Sequence, residues 1–202
     1  TSPNYTVESL AWKLNNVDVK TTDKFEVGKE YIIVDGNSTD STLDLIKSYE
    51  PCFEGRMRWI SEPDKGIYDA FNKGCKMAQG KYVWIVNSDD FIQPDALQEL
   101  SLIINGIKAE RLPIISAAGN FLSKGATDFL KICKADECDI DRAYALDSIG
   151  VFHPATLVPK EVYERVGYFD DNYKIMGDLD WFQRSYQERE KFLFIDNIIT
   201  NM

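Results

Sequence analysis

The chain has 202 residues, enough for one substantial hydrophobic core, and its composition (44% apolar, 28% charged, 12% aromatic) is that of an ordinary globular protein. Its 33 acidic against 23 basic residues leave a formal charge of −10, which disfavours non-specific nucleic-acid binding and strong attraction to an anionic membrane. The scattered Cys52, Cys75, Cys133 and Cys138 form no Cys-x-x-Cys pair, so neither a zinc site nor a disulfide framework is indicated, and reduced thiols are the default.

Residues 1–29 carry the weakest pattern: 1–7 read as a loop, and 8–14 as a short helix bearing Leu10, Ala11 and Leu14. Glu30-Tyr-Ile-Ile-Val34 predicts a buried strand. Asp35-Gly-Asn-Ser-Thr-Asp40 is turn chemistry leading into a helix with Leu43, Ile46 and Tyr49 on one side, which Pro51 stops. A short strand at 57–60 and a turn over Ser61-Glu-Pro-Asp-Lys-Gly66 come next. From 67 to 79 the apolar Ile67, Ala70, Phe71, Gly74, Cys75 and Ala78 mark one helical stripe, leaving Asp69, Asn72, Lys73 and Lys76 to other faces. Gly80 stands where a left-handed helix cap is expected.

The run Lys81-Tyr-Val-Trp-Ile-Val86 predicts a central strand covered on both faces, because a half-exposed strand would alternate. It ends abruptly in Asn87-Ser-Asp-Asp90. Pro94 then suits the first turn of a helix reaching about Ala109. A strand at 113–118, irregular strands and loops over 119–148, helices at 159–166 and 179–190, and a late strand at 192–195 complete the chain. Strand and helix alternate, so the expected fold is a single α/β domain with a mostly parallel sheet flanked by crossover helices. No apolar run approaches the roughly 20 residues needed to span a bilayer, and no signal-peptide pattern opens the chain. A cytoplasmic location with room for peripheral contact at the inner leaflet is the expectation.

In such a sheet, ligands bind outside the carboxyl ends of the strands. Three polar clusters fall at such ends or at the helix starts facing them: Asp35-Gly-Asn-Ser-Thr-Asp40, Asp64-Lys-Gly-Ile-Tyr-Asp69 and Asn87-Ser-Asp-Asp90. Two neighbouring carboxylates at a strand end suit Mg²⁺ or Mn²⁺, which take oxygen ligands and keep positions open for phosphates. Ser88, Asp89 and Asp90 equally suit a helix-capping turn before Pro94. Neither Gly-x-Gly-x-x-Gly nor a P-loop occurs, so phosphate must be held otherwise. Lys65 precedes a helix N-terminus that attracts anions, although a lone surface lysine is more often simply solvated. His153, the one histidine, is more often packed than catalytic in such a setting.

The runs 30–42 (Glu-Tyr-Ile-Ile-Val-Asp-Gly-Asn-Ser-Thr-Asp-Ser-Thr), 62–74 (Glu-Pro-Asp-Lys-Gly-Ile-Tyr-Asp-Ala-Phe-Asn-Lys-Gly) and Asn87-Ser-Asp-Asp90 together resemble the family-2 glycosyltransferases of the GT-A fold. His153-Pro-Ala-Thr, Val166-Gly-Tyr-Phe-Asp170 and Gly177-Asp-Leu-Asp-Trp-Phe-Gln-Arg184 extend the resemblance over roughly residues 30–184. It implies a nucleotide-binding part over about 1–110 and an acceptor-side part over about 111–202. By position, it implies that Asp35 hydrogen-bonds the nucleotide base and Asp69 lies in the helix bordering the nucleotide pocket. It makes Asp90 the direct metal ligand and places Asp89 nearer the ribose or donor sugar. Asp178 falls where the family has its catalytic base, and His153 would contact diphosphate, metal or acceptor. The family's first apolar strand precedes a Thr-x-x-Tyr-Asn type segment; here Pro3, Asn4 and Tyr5 resemble that segment, as a chain begun after that strand would show.

Inverting sugar transfer needs one base for the acceptor hydroxyl and a cation for the departing nucleoside diphosphate. A helix start should keep Asp178 ionised, while Asp180 is spaced to pair with Arg184 on the helix surface. The resemblance thus implies a metal-dependent inverting transferase with a hexosyl- or N-acetylhexosaminyl-type UDP-sugar donor and a glycan or lipid-linked acceptor. A sugar-nucleotide pyrophosphorylase would need a glycine-rich basic loop near the N-terminus, and a non-catalytic nucleotide-sugar-binding protein would lose no activity in an Asp178→Ala variant.

Overall fold

The computed structural model describes residues 29–122, 129–135 and 151–202. The segments expected at 1–7 and 8–14, the Pro3-Asn4-Tyr5 similarity and most of 119–148 lie outside the described residues. The chain divides into two compact units, Thr1–Gly80 and Lys81–Met202.

In the first unit, β1 (Tyr31–Asp35) and β2 (Met57–Ser61) form a parallel ladder in which Tyr31 faces Met57 and Asp35 faces Ser61. Parallel neighbours require a crossover. Helix α1 (Thr42–Tyr49) and a 3-10 turn at Glu50–Phe53 supply it. Asp40 Oδ1 accepts the Thr42 amide at 2.9 Å as the chain enters α1. Past the 3-10 turn the chain reverses through Glu54 and Gly55, both at positive φ. Ile46, Phe53 and Met57 form the buried core, with Tyr31 stacked on Phe53 at 5.5 Å between ring centroids.

Helix α2 (Ile67–Met77) buries Tyr68, Asn72 and Cys75, with Ala78 beyond its end, whereas Ile67 is 48% exposed. The buried stripe is therefore rotated from the one expected through Ile67, Ala70 and Phe71, and Asn72 moves inside. A tyrosine ring removes more surface from water than an isoleucine, so seating Tyr68 decides the rotation. Gly80 does not adopt the left-handed cap. Glu30 takes that role instead: its Oε1 accepts the amides of Gln79 at 2.5 Å and Gly80 at 2.7 Å. Its other oxygen pairs with Arg58, which also donates to the Met77 carbonyl.

The second unit holds a mixed six-stranded sheet built from β3 (Tyr82–Trp84), β4 (Phe91–Ile92), β5 (Ile114–Leu122), β6 (Phe129–Cys133), β7 (Thr156–Pro159) and β8 (Phe192–Asn201). Its order is β3-β7-β5-β8-β4, with β6 also on β5. β5 runs parallel to β8 and antiparallel to β6 and β7. Among the described residues, the run expected to be a central strand thus stands at the end of this sheet's order: it is three residues long, half-buried, and paired with β7. An apolar run reports burial of side chains but not which edges are paired, so the place of β3 in the ladder was not readable from it. Trp84 and Tyr82 each keep a polar atom bonded at the margin, to the carbonyls of Pro154 at 2.9 Å and Pro113 at 3.0 Å.

Three helices pack with this sheet: α3 (Ala96–Gly106), α4 (Lys160–Val166) and α5 (Gly177–Gln187). Pro94 lies in the turn before α3, and β4 intervenes between the acidic loop and the helix. Ala96, Leu100, Ile115, Ala117, Ala155, Leu157 and Ile199 form the core between α3 and the strands. A second packed region is aromatic, with Trp181 of α5 against Tyr163 of α4 at 4.8 Å and Phe169 at 5.6 Å. Glu190, almost wholly buried, is held by the Arg165 guanidinium at 2.9 Å through both oxygens and by Arg111 at 3.0 Å. Among the described residues, Cys52, Cys75 and Cys133 are free thiols, and no helix is long and apolar enough to cross a membrane.

Candidate active site

The residues singled out in the sequence divide between the units: Asp35, Lys65 and Asp69 belong to the first, Asp89, Asp90, His153 and Asp178 to the second. Asp35 ends β1, only 6% exposed. Its Oδ2 accepts the Ser38 amide at 3.0 Å and the Ser61 hydroxyl at 2.6 Å, and its Oδ1 the Ser38 hydroxyl at 2.5 Å. Burial pushes this carboxyl up, but the hydroxyls of Ser38 and Ser61 and the amides of Ser38 and Asn37 outweigh it and hold the group below the usual range. Ser38, at i+3 from Asp35, is a turn pattern visible in the sequence. Ser61 is not, because only the β1–β2 register sets it opposite Asp35. At Gly36 an added Cβ would lie 2.6 Å from Asp64 Oδ2, so a side chain there would drive Asp64 away from the β1 end.

Lys65 and Asp69 are brought together by the entry to α2. Asp69 Oδ2 accepts the Lys65 amide at 3.0 Å, and its carboxylate meets Lys73 Nζ at 3.3 Å. The Lys65 amide, then the Lys73 ammonium, keep Asp69 below the ordinary carboxylate range. Lys73 also reaches Glu62 at 3.1 Å and the Pro63 carbonyl at 2.9 Å. This lysine, which its periodicity puts only off the apolar stripe, ties the 62–66 loop to the helix. The Lys65 side chain itself lies on the exposed surface.

In the second unit, Asp89 is exposed and Asp90 is 6% exposed. The Asp90 amide closes a turn onto the Asn87 carbonyl at 3.1 Å, and the Asn87 side-chain amide returns to Asp90 Oδ2 at 3.0 Å. The acidic loop is therefore built as a self-bonded turn that points one inner carboxylate. Neither it nor any other group of three or more His, Cys, Asp or Glu among the described residues makes a cage for a metal ion. A single recessed carboxylate does fit a hard divalent cation that draws its remaining ligands from substrate phosphates and water.

Asp178 sits in the first turn of α5, entered through Met176 at φ 66, a left-handed conformation that a non-glycine residue adopts at a cost of roughly 1–3 kcal/mol. His153 Nδ1 lies 3.6 Å from Asp178 Oδ2, and their side chains are 11% and 25% exposed. The imidazole is wedged against Phe182 at 5.7 Å and Phe169 at 6.2 Å. Burial raises the Asp178 carboxyl, yet His153 and the helix-start amides overcome it and hold Asp178 below its usual range. Arg184 fixes the same helix: it pairs with Asp180 at 2.9 Å, as its spacing predicts, and donates to the carbonyls of Val166 and Tyr168 at 2.9 Å each. Trp181 is fully buried, with its indole nitrogen donating to the Gly167 carbonyl at 2.8 Å. Tyr173 stays 41% exposed.

The fold is a mixed α/β one, with a mostly antiparallel sheet in the second unit and a parallel pair in the first. Solved GT-A structures superpose accordingly. S. aureus TarS 1-349 in complex with UDP-GlcNAc matches 97% of this chain and 55% of that one, with a TM-score of 0.71 at 16% identity. The mannosyltransferase PcManGT from Pyrobaculum calidifontis, in complex with GDP-Man and Mn²⁺, matches 98% and 53%, with a TM-score of 0.65 at 15% identity. Residues 20–106 match the model of glycosyl transferase family 2. A PGL/p-HBAD biosynthesis glycosyltransferase of Mycobacterium bovis is 26% identical over 172 residues, covering 83% of this chain and 60% of that protein. The chain is thus similar to glycosyltransferase family 2 over residues 20–106, and it has the GT-A fold. It spans about 60% of the length of the mycobacterial relatives it matches.

Proposed function

We propose that the protein transfers a sugar from a nucleoside diphosphate donor to a hydroxyl of a glycan or lipid-linked acceptor, with inversion at the anomeric carbon. The observation that carries this reading is Asp178: an ionised, quarter-exposed carboxylate at a helix start, braced by His153. Asp178 accepts the proton of the acceptor hydroxyl as that oxygen bonds to the anomeric carbon. The bond from the anomeric carbon to the diphosphate oxygen breaks, and its electron pair departs with the nucleoside diphosphate. Because a carboxylate of low pKa is a weak base, holding the two reactants in line must supply much of the acceleration.

Asp35, buried and satisfied by neutral donors, is suited to a fixed acceptor role toward the N–H of a nucleotide base, and uracil offers one. Asp69, with the Lys65 backbone, shapes the loop at the start of α2; Lys65 would serve the diphosphate, and Asp89 the ribose or donor sugar. Asp90 would hold Mg²⁺ or Mn²⁺, which supplies charge stabilisation to the leaving diphosphate when bound. The bracing of His153 by Asp178 and two phenyl rings favours a role beside the base over direct contact with the diphosphate.

A ligand that binds only the folded state raises its melting temperature. UDP, GDP and their sugars are therefore to be screened by thermal shift with and without Mn²⁺, on the wild type and on Asp90→Asn. A UDP-dependent rise that needs Mn²⁺ and vanishes in Asp90→Asn is the expected result; an equal rise in chelator and in the variant removes the metal from the proposal.

A further inference from the structure

Three carboxamides from distant parts of the second unit meet at the carboxyl ends of β5 and β8. The β5–β8 register sets Asn120 opposite Asn201, and the β4–β8 register sets Asn201 opposite Phe91, the residue after Asp90. Gln93 follows two residues later. Asn201 Oδ1 accepts both the Gln93 side-chain amide and the Asn120 side-chain amide, each at 2.9 Å. These two bonds define what remains. Among the described residues, the Asn201 amide nitrogen and the side-chain oxygens of Gln93 and Asn120 have no hydrogen-bond partner, and all three side chains are only half-buried.

What remains is the Asn201 NH₂, two acceptor oxygens, and one N–H on each of Gln93 and Asn120, held by bonds inside the cluster and carrying no charge. A carboxamide offers two donors on nitrogen and an oxygen with two lone pairs, the complement of adjacent hydroxyls that both give and receive. In a chain with a formal charge of −10, a neutral array selects against anionic ligands less by its own chemistry than by its surroundings, and favours an uncharged polyhydroxyl one. The location agrees, since ligands of open α/β sheets bind beyond the carboxyl ends of the strands. We propose that Gln93, Asn120 and Asn201 form a sugar subsite that reads vicinal hydroxyls of a neutral pyranose. The array itself rests on the geometry alone; its use in sugar transfer rests on the transferase reading above.

The test is the side-chain amide region of a proton–nitrogen correlation spectrum, with the three NH₂ pairs assigned by their disappearance in Gln93→Glu, Asn120→Asp and Asn201→Asp. Methyl glycosides of glucose, mannose and N-acetylgalactosamine are titrated to represent an acceptor, UDP-GlcNAc to represent a donor, and glycerol to control for hydroxyls in general. At least one glycoside or the nucleotide sugar is expected to move the Asn201 pair saturably at millimolar concentration, and the responding ligand identifies the source. Gln93→Met, which keeps the side-chain length but loses the acceptor oxygen and the bond to Asn201, is expected to weaken that binding at least several-fold with only a small change in melting temperature. No shift with any of the sugars, or an equal shift with glycerol, overturns the subsite. Hydrolysis of nucleoside diphosphate sugars is measured alongside: its absence with every donor tells against the transferase reading while leaving a saturable glycoside shift, and hence the subsite, intact.

Discussion

The two units handle buried carboxylates in opposite ways. Asp35 in the first is surrounded by neutral donors, two serine hydroxyls and an amide, so its charge is neutralised by dipoles that do not titrate. Asp178 in the second, a quarter exposed, meets the His153 imidazole across 3.6 Å at a helix start. A carboxylate fixed by hydroxyls is a constant acceptor, fit for recognition. One braced on a single side by a ring nitrogen and otherwise partly open to solvent can meet a substrate, fit for moving a proton.

Removing the second kind should cost turnover and little else. Asp178→Asn keeps the shape and loses the base, and kcat is expected to fall about 10²–10⁴-fold with donor binding retained; a calorimetric titration with the nucleotide beside a transfer assay separates the two. An Asp178→Asn protein of undiminished kcat would erase the distinction between the units.

Removing the first kind should cost stability. Ser61→Ala takes one hydroxyl from buried Asp35 and is expected to destabilise by about 1–3 kcal/mol at neutral pH, read by urea unfolding. Asp35 lies below its unfolded value when folded, so its contribution is present above the unfolded carboxylate pKa of about 3.9 and is lost as pH falls from there toward the folded value. The penalty of Ser61→Ala should therefore shrink at the acid end of a pH series.

A subtler outcome concerns His153. Burial raises the Asp178 carboxyl and the imidazole lowers it, so His153→Asn is expected to move the acidic limb of kcat/KM to higher pH. An unmoved limb, with folding intact, would leave His153 as packing against Phe169 and Phe182. The smallest effect belongs to Asp180→Ala. Its pair with Arg184 is partly exposed, and Arg184 keeps its two carbonyl partners, so a loss of about 0.3–0.5 kcal/mol is expected in thermal melts.

Patterns within a short stretch were legible. The strands at 31–35 and 57–61, helices α1, α2 and α5 and the Asp180–Arg184 pair follow from apolar period, turn residues and i,i+4 spacing, all local quantities. The three acidic motifs were legible for a related reason: a chain that must present oxygens at a strand end does so with a few consecutive residues. Element rotation was less so, as Tyr68 displacing Ile67 from the buried face of α2 shows. Strand β7 and the two-residue β4 were hidden, because a strand that short exists only through its partners.

By itself, the sequence determined most of the longer strands and helices, where oxygen-bearing turns interrupt them, and the similarity to glycosyltransferase family 2, since these depend on neighbours in the chain. Tertiary structure alone decided that β3 stands at the end of its sheet's order among the described residues, that Ser61 completes the cradle of Asp35, that an imidazole 25 residues away in sequence braces Asp178, and that three carboxamides meet at Asn201. Each of those is a pairing across the fold, fixed by strand register and side-chain packing, and register is set by the sum of buried surface and hydrogen bonds over whole elements, which no local window contains.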